Sequence, residues 1–166
     1  MKPPSASKLL NFAELKQWLY RDGRPNWLAK ILNDGWAALH ALGIAPNYLV
    51  TLEVRGHKSG RTITLPLVMV LLNGERYLVS MLGVDATWVR NVKAAAGHAT
   101  LVHGRRELVR LVEIPPAQRP PILKLYLQRA PGARPHLPVH KDAPLAAFEL
   151  ISAQFPVFRV VSEPAK

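Results

Sequence analysis

Gly56-His57-Lys58-Ser59-Gly60-Arg61 is the stretch whose residue types and spacing best suit chemistry. Two glycines bracket two bases and a hydroxyl, a composition that lets a turn's backbone approach an anion closely. Lys58 and Arg61 supply charge, and Ser59 a short donor. The Gly-Lys-Ser/Thr order of a Walker loop is absent, so the turn would hold a phosphate or carboxylate by other means. The same residues also suit a basic β-hairpin turn with solvated side chains. The hexapeptide alone leaves both readings open.

Other reactive groups are sparse. The six histidines are His40, His57, His98, His103, His136 and His140, and none falls at metal-ligand spacing. His136 and His140 are four apart, but Pro135 and Pro138 forbid the helix that would align them. The chain has no cysteine and no Gly-x-Ser-x-Gly elbow, so it lacks a nucleophile candidate. His136 and His140 are candidate proton donors on a mobile lid, or else plain loop histidines.

These residues must be positioned by a mixed set of elements. Residues 1–7 read as a loose tail, and 8–166 as one domain with an N-terminal helical segment over 8–43. Within that segment helices are expected over Asn11–Tyr20 and Asn26–Ala41, the second ended by Gly43 and Pro46. Strands at 48–55 and 62–72 flank the basic turn, and Asn73-Gly74 is a hairpin signal returning into a strand over 76–82. Asp85 is placed to cap a helix over Ala86–Ala96 that Gly97 stops. Strands over Thr100–His103 and Glu107–Ile114 turn at Gly104, and both faces of the latter are apolar enough to be covered. Pro120-Pro121 opens a helix to Arg129, a Pro-rich loop spans 130–143, and a helix over 144–154 precedes a last strand at 155–161. Strands joined by hairpins, with helices at the ends and between, predict an α+β fold, a closed or split β-barrel with N-terminal and peripheral helices.

Composition bounds the partners. The chain has 166 residues, 49% of them hydrophobic, enough for one sizeable core. Its 22 Lys and Arg against 11 acidic residues give a net charge of +11, which favours anionic partners. The bases are dispersed, and no helix-turn-helix, zinc-finger or RNP pattern accompanies them, which argues against nucleic acid. No apolar run reaches the ~18 residues of a spanning helix, and the N-terminus lacks a signal-peptide core. A soluble, cytoplasmic protein is the expectation.

Read together, Gly56-His57-Lys58-Ser59-Gly60, Pro66-Leu67, the hairpin Asn73 to Val79, Trp88-Val89-Arg90-Asn91 and the terminal Phe155 to Val161 resemble the deazaflavin-dependent nitroreductase family. The resemblance implies a split β-barrel that binds coenzyme F420 and reduces quinones, conjugated enones or nitro compounds. Residue by residue, His57, Lys58 and Ser59 fall on the family's turn that engages the cofactor's charged tail and phosphate. Thr64, Leu65, Pro66, Leu67 and Val68 fall on the strand lining the same groove. Ser80, Met81 and Leu82 fall on the support of the deazaflavin ring, and Thr87, Trp88, Val89, Arg90 and Asn91 on the helix start beside a phosphate. Trp88 equally suits a core anchor, and Asn91 a capping or turn residue. The chain departs from the family at Ile63, where an Arg is common, and in a shorter stretch between Val79 and Trp88. Ala130, Ala133 and His136 stand where nitro-drug-reducing members carry tyrosines, which puts that substrate range in doubt. Alternatives are an FMN enzyme, or a non-catalytic barrel carrying haem, another tetrapyrrole or a fatty acid. A small-molecule electron acceptor, weak membrane-surface contact through the N-terminal helices, and a monomer or homodimer complete the implied picture.

Overall fold

A computed structural model of the chain describes residues 48–164. The tail over 1–7 and the helices expected over 11–20 and 26–41 lie outside the described residues. Six strands, β1 (Leu49–Arg55), β2 (Thr62–Leu72), β3 (Glu75–Val79), β4 (His98–His103), β5 (Arg105–Glu113) and β6 (Val157–Ser162), close into a barrel in the order β1-β2-β3-β6-β5-β4. Every neighbouring pair is antiparallel. This is the split-barrel α+β architecture that the strand and hairpin pattern predicts.

β2 explains the split. Its first part, Thr62–Val68, pairs with β1, and only Met69–Leu72 pairs with β3. Pro66 therefore sits in the half of β2 that has a single strand neighbour. There a residue without an N–H costs the ladder least. The Asn73-Gly74 turn is as expected, with both residues at positive φ (52° and 78°).

Among the described residues three α-helices decorate the barrel: α1 (Thr87–Ala94), α2 (Pro120–Arg129) and α3 (Leu145–Glu149). The α1 helix closes one end of the interior, where Trp88, Val89 and Val92 join Val50, Leu52, Val54, Leu78, Val109, Leu111 and Phe158 in one core. The Trp88 and Phe158 rings meet at 5.4 Å and 58°. Such tilted aromatic pairs add about 0.5–1.5 kcal/mol beyond burial. A second core lies outside the barrel wall. Ile122, Leu123, Tyr126 and Leu127 of α2 cover Val70, Val79 and Val157 there, with Phe148 of α3 and Leu137 of the following loop.

Several local expectations are corrected. β3 ends at Val79, because Ser80 turns the chain: its hydroxyl donates to Gly83 O at 2.8 Å. Asp85 does not cap α1. The cap position is Ala86, without a side-chain bond, and exposed Asp85 instead accepts from Arg90 at 3.2 Å. Gly97 does end the α1 turn, at φ 86°, where a Cβ would meet Leu111 O at 2.6 Å. Val109 and Leu111 of β5 are buried, whereas Leu108 and Val112 stand exposed, because among the described residues α2 and α3 pack over β2, β3 and β6 instead. The helix expected over 144–154 breaks into α3 and a 3₁₀ turn at Ser152–Gln154.

Arg119 joins these parts. It is buried, donating from Nε to Ile114 O (2.9 Å), from Nη1 to Ser152 O (3.0 Å) and Phe155 O (3.3 Å), and from Nη2 to Glu113 (3.0 Å). It thereby latches the start of α2 to the chain that enters β6.

Candidate anion-binding site

The hairpin between β1 and β2 builds the basic turn. Gly56 N–H donates to Arg61 O and Gly60 N–H to Gly56 O, both at 2.8 Å, and Gly60 takes φ +68°. Ser59 Oγ accepts from Arg61 N–H at 3.3 Å, and a side chain on Gly56 would meet this oxygen at 2.6 Å. The hydroxyl thus packs within the turn. Lys58 and Arg61 are exposed, and neither side chain makes an ion pair among the described residues.

His57 ties this turn to α1. Its backbone N–H donates to Asn91 Oδ1 at 3.0 Å, and its ring Nδ1 lies 2.6 Å from the same oxygen. A carboxamide oxygen only accepts, so Nδ1 carries a proton. Asn91 itself is buried, at 1% exposure. At the N-terminal end of α1 the first-turn amides of Thr87, Trp88 and Val89 precede the first intrahelical bond, Arg90 N–H to Ala86 O. No acidic residue stands in that first turn. Such a helix start favours a negative charge nearby.

The remaining residues of the resemblance separate by face. Leu65 and Leu67 pack against the interior core, whereas Val68 packs on the outer one and Thr64 faces a shallow concavity with Glu53 and Arg105. Pro66 is half-buried on the open side of β2. Ser80 is fully buried, its hydroxyl engaged by Gly83 O. Met81 is half-buried beside the outer core, and Leu82 is 48% exposed. Trp88 and Val89 are interior anchors, Thr87 is exposed, and Arg90 is held by Asp85.

His136 and His140 do not meet the basic turn. His136 is half-buried, and its Nε2 is enclosed without a hydrogen-bond partner. His140 is exposed and accepts from Asp142 N–H at 3.3 Å. Their loop is nonetheless anchored through Ala133, Leu137 and Val139 in the same apolar cluster that holds Val68 and Met81.

A groove of about 760 Å³ runs along the outside of β1, β4 and β5, with Arg55 and Thr62 at the base of the basic turn on its rim. Its walls carry an ion pair, Glu53 with Arg106 (2.9 Å), and a hydrogen-bonded pair, His98 with Glu163 (3.0 Å). Arg55, which ends β1 and lies beside Gly60, was not singled out from the sequence. Its position one residue before Gly56 was the available signal. Across the barrel wall Arg76 grips Glu107 with two bonds of 2.7 and 2.8 Å. Those bonds, aided by Ser162, hold the Glu107 carboxyl down at about 2. Among the described residues no cluster of three or more His, Asp or Glu could hold a metal, and no helix is long and apolar enough to cross a membrane.

No protein-family model matches the chain, and no curated protein matches it. Solved structures do. A protein of unknown function from Agrobacterium tumefaciens is 13% identical with a TM-score of 0.53; the match covers 77% of this chain and 54% of that one, so the chain spans about half its length. A chain described as a domain-swapped dimer is 22% identical over 88% of this chain and 98% of that one, with a TM-score of 0.50. An F420-H2 dependent reductase is 25% identical over 69% of this chain and 94% of that one, at a TM-score of 0.46. The first two likenesses establish the fold: a six-stranded split β-barrel with peripheral helices.

Proposed function

We propose that this protein is an F420-dependent oxidoreductase of the deazaflavin-dependent nitroreductase family, delivering a hydride from reduced deazaflavin to a quinone, conjugated enone or nitro compound. One observation carries the reading. The resemblance assigns the basic turn and the start of α1 to one cofactor, and His57 and Asn91, 34 residues apart, are hydrogen-bonded to each other. A bare hairpin turn has no need of that tie.

The residues present fit the cofactor's chemistry. F420 carries a phosphodiester and a glutamate tail, and Lys58 and Arg61 are cations without ion pairs among the described residues. Those two side chains and the first-turn amides of α1 would hold the anionic tail. Pro66, Val68, Met81 and Leu82 would flank the ring and keep water from it. Leu65, Leu67, Ser80 and Val89 would shape the groove from behind, and Thr64 would line its exposed side. The bound cofactor supplies the hydride. His136 or His140, on a loop anchored in the cluster that includes Val68 and Met81, would give the acceptor its proton. A cytoplasmic protein touching the membrane surface through its N-terminal segment, as monomer or homodimer, completes the proposal.

Equilibrium binding of oxidised F420, FMN and haem to the purified protein tests it. F420 should bind more tightly than FMN, which lacks the tail, and should weaken as salt rises. Equal affinity for the two, or retention of haem with no uptake of F420, would overturn the reading in favour of another ligand.

A further inference from the structure

The outer wall of β5 and β6 carries aliphatic side chains that α2 and α3 leave uncovered. Val109, Leu111, Phe158 and Val160 fill the interior, so strand alternation turns Leu108, Arg110 and Val112 outward on β5, and Arg159 and Val161 on β6. The register sets Arg110 opposite Val161 and Val112 opposite Arg159, which places Val161 diagonally between Leu108 and Val112. Leu108, Val112 and Val161 are 47%, 38% and 38% exposed. On the far side of β6, Tyr77 pairs with Arg159 and packs against the outer core, and Glu75, two residues along the same row, is exposed. An aliphatic cluster held open on rigid strands suits contact with another surface.

The charges around it select the partner. Arg110, Arg159 and Glu75 make no ion pair among the described residues, and Glu163, just past β6, is bonded to His98 at 3.0 Å. Two cations and two carboxylates therefore frame the cluster, in a chain whose 22 Lys and Arg outnumber its 11 acidic residues. Those carboxylates would oppose an anionic bilayer or a nucleic acid, whereas a face of both signs around an apolar centre is complementary to itself across a two-fold axis. We infer that this chain pairs with a second copy of itself through the β5–β6 wall, with Leu108, Val112 and Val161 at the centre and the basic groups of each copy against the acidic groups of the other. Leu108 and Glu163 also line the groove that reaches the base of the basic turn, so the second copy would roof part of it. The inference does not rest on the cofactor reading, because the wall is the same with or without F420.

Sedimentation equilibrium of the full chain, from micromolar to sub-millimolar concentration, tests it. The parent should show a monomer–dimer equilibrium. Val161→Lys and Leu108→Lys, both at exposed positions that a monomer tolerates, should each weaken dimerisation about tenfold or more. Leu150→Lys, at the end of α3 and 84% exposed, should leave it within about twofold. A dimer that survives both wall substitutions at parental strength would overturn the inference, as would one weakened equally by Leu150→Lys. A parent that stays monomeric throughout also overturns it, and a lower melting temperature in Val161→Lys would then assign the wall to residues 1–47 of the same chain.

Discussion

Replacing Arg119 by Met should unlatch α2 from the approach to β6 without opening the barrel. The guanidinium is 4% exposed and makes four bonds, three to the carbonyls of Ile114, Ser152 and Phe155 and one to Glu113. Removing one partner of a buried ionic network costs about 3–5 kcal/mol, because what remains is unpaired. Here Glu113 keeps Lys93 at 2.9 Å and is 31% exposed, so its charge is not stranded. The loss should therefore sit near the low end, about 3 kcal/mol, most of it from three carbonyls left without a charged donor. For a chain of this size that is a fall of roughly 6–12 °C in melting temperature. Urea unfolding followed by circular dichroism and by tryptophan fluorescence would measure it, with an unchanged m-value showing that the same surface is exposed. A loss below about 1 kcal/mol would refute the reasoning, since Arg119 would then only be exchanging water contacts for protein ones.

Lys58→Ala should weaken F420 binding by about 1–3 kcal/mol, the scale of one charge-assisted contact, with the melting temperature unmoved; a lower melt with unchanged affinity would make Lys58 structural. The Arg76 bonds hold Glu107 at about 2 rather than 4.5, so the stability they contribute is complete above about pH 4.5 and is lost as pH falls toward 2. After discounting for partial solvation this should amount to about 1–2 kcal/mol in pH-dependent denaturant midpoints, and Glu107→Gln should flatten the acid limb. His136→Ala and His140→Ala should leave F420 affinity intact and lower only acceptor turnover; parental turnover of every acceptor in both variants would remove the loop from the chemistry.

The local signals in this sequence were strong wherever one residue type dictates one backbone conformation. Asn73-Gly74 announced its hairpin, Gly97 the end of α1, and Pro120-Pro121 the start of α2, because positive φ and the proline ring act within a residue or two. Runs of strand-forming residues between turn signals located β1 to β5, the family resemblance marked the last strand, and the basic turn between β1 and β2 stood out by composition. What covers a strand is not local. β5 carries apolar residues on both rows, yet only the row of Val109 and Leu111 is buried. The sequence could not tell that α2 would pack over β2 and β3, while Leu108 and Val112 of β5 stay exposed. Hydrogen-bond competition was equally hidden. Asp85 looked like a cap, but its carboxylate meets Arg90, and Arg119 gave no sign of the four acceptors it gathers. For the candidate site, the residue types of the turn and of α1 were legible. Only closure of the barrel, which carries α1 back over the end of β1, brings His57 onto Asn91. Residue type and spacing determine which groups can bind an anion, and tertiary packing decides which of them meet.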